Sequence, residues 1–204
     1  TVGGVRTTMR REGFMAREDW EHKGLLDSED VQIKLRIMHA VDRSLDHITV
    51  GELCERAGIS RQTFYRHFDS KYSLHWWWPI HVHQFYLIEV GRTIDWETGY
   101  FHHIRLLSLE KKFFEAATQY TLNSPADRNI MPHYRKRVLV ETLQDYRKAD
   151  IDDELMFCID TWVKTETEIL TEWYRLGTAP PPKEAAARLA VVIPRRLYDA
   201  LSMD

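Results

Sequence analysis

Residues 48–74 read ITVGELCERAGISRQTFYRHFDSKYSL. Thr49 and Glu52 stand three apart, the spacing of a capping box in which each side chain satisfies a backbone N–H at a helix start. Val50, Leu53, Cys54 and Ala57 follow as an apolar face at helical spacing. Gly58 ends that helix, because glycine takes the left-handed conformation without a Cβ clash. Ile59 is the apolar plug of the turn, and Ser60 is a natural N-cap for what comes next. The stretch predicts a short helix, a tight turn, a second short helix and the start of a third, which is a helix-turn-helix.

The second of these helices, from Arg61 to about Phe68, has two large apolar residues at i, i+4, Phe64 and Phe68, and they fix its inward face. At about 100° per residue, Gln62 and Arg66 point away from that face, with Thr63, Tyr65 and His67 on the flanks. Arginine suits guanine and glutamine suits adenine, while tyrosine, threonine and histidine suit phosphates or bases. Between Ile59 and Lys71 the cations are Arg61, Arg66 and Lys71, against Asp69 alone. An ordinary surface helix of this length would carry glutamate and lysine instead.

The order AGISRQTFYRHFDSKYSL resembles the signature of TetR/AcrR-type transcriptional regulators, with Ala57, Gly58, Phe64, Tyr65, Phe68, Lys71 and Leu74 at the matching places. The resemblance covers roughly residues 31–74. It implies an all-α protein with a three-helix DNA-binding domain and a larger helical domain for effector binding and dimerisation. It further implies that residues 31–45 form a first helix behind the reader. Thr49 and Lys71 would touch phosphates. Arg61, Gln62, Thr63 and Arg66 would face the groove, beside Ser60 at the helix start, with Tyr65 and His67 on the DNA backbone. Two departures stand out. Gly51 lies inside the second helix, which it weakens, and Pro79 falls early in the fourth, where the family keeps a continuous connecting helix. The C-terminal part resembles more faintly the branch that includes regulators of dihydroxyacetone kinase, on Leu122-Asn123-Ser124 and the run 169–177.

The chain has 204 residues, 44% of them hydrophobic, enough for one large domain or for one small and one medium domain. A net charge of −3 means that any DNA affinity comes from a local patch and depends strongly on salt. Cys54 and Cys158 both fall on apolar-periodic positions and read as small buried hydrophobes. No apolar run reaches membrane-spanning length and no signal peptide opens the chain, so a cytoplasmic protein without a membrane partner is expected. Residues 1–29, glycine-rich and of mixed charge, read as a flexible arm whose Arg6, Arg10 and Arg11 could reach DNA. Residues 30–75 are the helix-turn-helix domain and 76–204 the effector and dimerisation domain.

After Leu74 the spacing is helical near 70–91, 98–122, 132–148, 151–176 and 183–202. Ile151, Leu155, Cys158, Trp162, Ile169, Trp173 and Leu176 form the longest stripe, interrupted by Thr165 and Glu166, and Pro194 bends the last helix. The resemblance assigns the two terminal helices to dimerisation, which would place two readers about 34 Å apart in successive major grooves. Trp76, Trp77 and Trp78 in a row cover about 200° of a helix, so one must leave the main core. The aromatic candidates for a small-molecule pocket are Trp76, Trp77, Phe113 and Trp162. His75, His81 and His83, with His102 and His103, invite a metal reading, but His75/His81 and His81/His83 have no i, i+4 spacing. Asp152, Asp153 and Glu154 read as acids at a helix start, and Arg135, Lys136 and Arg137 as a solvated face. No phosphate loop, nucleophile elbow, zinc motif or paired cysteine appears, so neither catalysis nor a cofactor is expected. The sequence thus predicts a homodimeric regulator, a ligand-responsive repressor binding an operator in double-stranded DNA. Two rival readings stay open at this level: an interaction module whose helix-turn-helix does not read DNA by itself and whose C-terminal domain docks a protein co-regulator, and a helical enzyme using the histidines.

Overall fold

The computed structural model describes residues 24–121 and 129–203. Over these residues the chain is helical and has no strand, only an isolated bridge between Val90 and Ile94. The N-terminal domain consists of α1 (Glu29–His39), α2 (Val50–Ala57) and α3 (Arg61–His67). Ser28 caps α1 by accepting from the Val31 N–H at 3.1 Å. That helix stops at His39, short of the expected Leu45. The reason lies in Asp42, Ser44 and Asp46, residues that favour turns. The His47 N–H donates to the Ser44 carbonyl at 2.9 Å, closing one. Leu45 and Ile48 still reach the core, from a loop rather than a helix, and are fully buried.

The capping box at α2 forms as expected. The Thr49 N–H donates to Glu52 Oε2 at 2.9 Å, and the Glu52 N–H donates to Thr49 Oγ1 at 3.2 Å. Gly58 ends the helix at φ +65, and Ser60 caps α3 by accepting from the Thr63 N–H at 3.0 Å. Such caps are worth about 1 kcal/mol each, a large share of the stability of helices this short. Phe64 and Phe68 anchor α3, both buried, with ring centroids 5.9 Å apart.

The larger domain contains α4 (Ser73–His83), α5 (Trp96–Leu109), α6 (Lys111–Thr121), α7 (Ile130–Glu141), α8 (Asp153–Arg175), α9 (Pro182–Val192) and α10 (Arg195–Ala200). Helix α4 runs through Pro79 and then unwinds into turns over 84–91, where continuous helix was expected. The helix expected over 98–122 is broken at Glu110 into α5 and α6. The expected bend at Pro194 is a full break: Ile193, the residue before proline, is extended at ψ 130. Helix α5 packs on α9, α8 packs on α6, α7 and α10, and α4 lies between the two domains against α5 and α6.

Two boundaries move. Residues 24–28, assigned to the arm, are packed: Leu25 is fully buried and its carbonyl lies 2.8 Å from His81 Nε2. The rest of the arm, including Arg6, Arg10 and Arg11, and the Leu122-Asn123-Ser124 bend lie outside the described residues. On α8, Leu176 at the end of the expected stripe is exposed, whereas Glu166, read as an interruption, is buried. Among the described residues no helix is long and apolar enough to cross a membrane.

Candidate DNA-reading surface and effector cavity

Helix α3 presents Arg61, Gln62, Tyr65 and Arg66 to solvent, with Thr63 half-buried beside them. Tyr65 is 56% exposed although its ring meets Phe64 edge-on at 5.3 Å, so its hydroxyl end points outward from a fixed base. Arg61 and Arg66 have no acidic partner among the described residues, and Arg66 reaches only Thr63 Oγ1, at 3.5 Å. Elsewhere in the domain Arg43 pairs with Asp42 and Glu52, and Arg56 with Asp42. Arg43 and Arg56 are thus paired with carboxylates, whereas among the described residues Arg61 and Arg66 on α3 are not. Gly51 has a local reason: a Cβ there would stand 2.8 Å from Arg61 Nη2, so the missing side chain is what lets the guanidinium lie across α2.

Four candidate contacts are committed within the protein. Thr49 donates its hydroxyl proton to Glu52 Oε2 at 2.9 Å. The Thr49 backbone N–H, then its hydroxyl and Arg43, hold the Glu52 carboxyl down to about 2. Ser60 is spent on its cap and on Thr63 Oγ1 at 3.0 Å. Lys71 Nζ donates to the carbonyls of Ile48 at 2.9 Å and Asp46 at 3.3 Å, tying the start of α4 to the loop before α2. His67 is a correction to the outward set: its side chain is 9% exposed and its Nδ1 lies 2.8 Å from Asp30 Oδ1, bracing α3 against α1.

The aromatic candidates divide. Trp76 borders a cavity of about 40 Å³ between α4, α5, α7 and α8. Trp77 instead sits at the joint of the two domains, edge-on to Phe68 at 6.1 Å and stacked on His81 at 5.6 Å. Phe113 borders an open groove of about 1320 Å³ between the N-terminal domain and α6. Trp162 is a core residue whose indole N–H donates to the Tyr100 hydroxyl at 3.2 Å.

The same cavity holds the largest surprise. Arg135, read as part of a solvated face, is 1% exposed. Its Nε donates to Glu166 Oε2 at 3.1 Å and its Nη1 to the Leu87 carbonyl at 3.1 Å, while Tyr100 donates to Glu166 Oε1 at 2.7 Å. Burial works against the charge of Arg135, but Glu166 and Tyr100 outweigh it and hold the guanidinium protonated. His75, His83 and His103 line this cavity too. Burial pushes His75 and His103 down to about 3, and burial, Arg135 and His103 push His83 well below its ordinary value, so all three are neutral near pH 7. The signal was present in the sequence: His75, Pro79 and His83 are spaced i, i+4, i+8, one face of α4. His81 and His102 are elsewhere, on the Leu25 carbonyl and stacked on Tyr86. Among the described residues no group of three His, Cys, Asp or Glu side chains is placed to hold a metal ion.

A capped helix pair with a tight glycine turn, its second helix polar and cationic outward, defines a helix-turn-helix DNA-binding domain. Residues 40–75 match the model of the bacterial regulatory proteins of the tetR family, so the N-terminal domain is similar to the DNA-binding domain of those proteins. A search of curated proteins gives no significant match to the chain.

Proposed function

We propose that the protein is a homodimeric repressor whose affinity for a roughly palindromic operator is set by a small molecule in the cavity behind α4. The observation that carries the DNA-reading part is the outward face of α3, where Arg61, Gln62, Tyr65 and Arg66 stand exposed and the two arginines have no acidic partner among the described residues. Arginine and glutamine supply base-edge contacts, and Tyr65 and Thr63 supply backbone contacts. One such helix is a weak reader, so a second copy at about 34 Å is needed for affinity. Exposed Phe157 on α8 and Val191 and Val192 at the end of α9 support a face for that copy. Arg196 bridges Asp152 and Glu154, which brings the start of α10 to the start of α8 and these residues to one end of the bundle. Helix α4 supports the coupling, because His75, Trp76 and His83 border the cavity while Trp77 packs on Phe68 of the reading domain.

The test is a fluorescence-anisotropy titration against the upstream intergenic DNA at two salt concentrations, with a scrambled duplex as control. Tight binding to the first duplex alone, weakening as salt rises, is the expected result. Arg66→Ala should cost about 1–3 kcal/mol of operator binding and blunt the preference over the scrambled duplex. Equal, weak binding to both duplexes would overturn the reading in favour of a protein co-regulator.

A further inference from the structure

The cavity walls carry an unusual concentration of unsatisfied polar atoms. Arg135 Nη2, the Tyr174 hydroxyl, the Trp76 indole N–H, Nδ1 of His75 and His103, and both ring nitrogens of His83 are buried and have no hydrogen-bond partner among the described residues. A buried polar group left unpaired is destabilising, and native proteins keep such groups rare. Their gathering in one place, on side chains from four helices, is what a site built to take a polar guest looks like.

The guest's chemistry follows from the donors. A guanidinium and an indole N–H donate only, whereas a tyrosine hydroxyl and a neutral imidazole can do either. The guest must therefore bring acceptors. Acid groups on the protein side are already spent, since both oxygens of Glu166 accept, from Tyr100 and from Arg135 Nε. A cation would find no carboxylate to meet it. Arg135 has used Nε and Nη1 and offers Nη2. A carboxylate supplies two oxygens and the charge that makes a hydrogen bond to a guanidinium strong. The remaining wall, with Leu107, Met131 and Leu170, suits a hydrocarbon body. The volume, about 40 Å³, sets a limit of a few heavy atoms before the walls must move.

We propose that this cavity binds a short-chain organic carboxylate, with its oxygens on Arg135 Nη2, the Tyr174 hydroxyl and an imidazole N–H, and its chain against Leu107, Met131 and Leu170. The proposal rests on the reading of the chain as a ligand-responsive regulator and names the class of effector. Neutral histidines at pH 7, a consequence of their burial, keep one donor each available and add no competing cation.

The test uses the full chain, with isothermal titration calorimetry and thermal unfolding in acetate, propionate, butyrate and benzoate, each against its amide, with sodium chloride as ionic-strength control. One carboxylate of matching size should bind and raise the unfolding midpoint, with its amide about tenfold weaker or more, the loss of a charged hydrogen-bond partner. Tyr174→Phe removes a hydroxyl that bonds nothing among the described residues, so the ligand-free midpoint should hold or rise while carboxylate affinity falls about tenfold. A purely structural role for Tyr174 would move the first quantity down and leave the second alone. Amides binding as well as acids, no acid binding at all, or unchanged affinity in Tyr174→Phe would each overturn the proposal. Operator binding is titrated separately. Carboxylate binding without operator binding sustains this site and sinks the regulator reading, whereas operator binding without carboxylate binding sinks this site alone.

Discussion

Arg135 and Glu166 show how much of this protein is decided by single side chains that their neighbours disguise. Arg135 sits between Tyr134 and Lys136 in the run 133–137, HYRKR, and nothing local in that run separates the buried arginine from the exposed ones. Glu166 breaks an apolar stripe and reads as a flaw in it. Only the crossing of α7 and α8 makes each the other's partner. Because both are buried, Glu166→Gln should cost about 3 kcal/mol or more in urea unfolding, since it strands the charge on Arg135. Arg135→Met combined with Glu166→Leu should cost much less, because neither member is then left alone. The histidines make a second prediction at this scale. His75 and His103 are held to about 3 when folded, against 6.5 when unfolded. Below 6.5 the unfolded chain binds protons that the folded chain refuses, so stability is fullest above that pH and drains away toward pH 3. At pH 5 each should cost about 2 kcal/mol, seen as a fall in the unfolding midpoint between pH 7 and 5 that His103→Leu makes shallower.

At the scale of elements, α2 and α3 were legible in full because their ends are written in the chain: Thr49 with Glu52, Gly58, then Ser60. Helices whose ends depend on distant partners were not. The break at Glu110 has no proline or glycine to mark it, and the carboxylate there meets His39 Nε2, 3.0 Å away, across a sequence gap no local rule spans. The outward face of α3 was read correctly except at His67, which spacing put on a flank and Asp30 drew inward. Of the aromatic pocket candidates only Trp76 lines the cavity, and Arg135 and Tyr174 reach it through helix packing that no local pattern shows. Gly51 yields the prediction proper to this scale. Gly51→Ala should stabilise α2 by up to about 1 kcal/mol through helix propensity. The new Cβ would stand 2.8 Å from Arg61 Nη2 and displace a flexible side chain rather than backbone. The unfolding midpoint should therefore rise while operator affinity changes, and a rise with affinity untouched would remove Arg61 from the reading surface.

For the whole molecule, the exposed apolar residues on α8 and α9 matter most. Val191 is 84% exposed and Phe157 70%, and they are the side chains on which the proposed dimer face is tested. Phe157→Lys with Val191→Glu should convert a dimer to a monomer by light scattering, with circular dichroism unchanged and operator binding lost. A dimer that survives both charges would place its interface elsewhere. The attachment of the N-terminal domain carries a consequence of its own. That domain is fastened along α4, through the Leu25–His81 and Phe68–Trp77 contacts, and away from it by His39 on Glu110. An attachment along one edge favours a swing about that edge, so under the proposed coupling the response is an angle: a small turn of α4 becomes a larger arc at the far tip of α3.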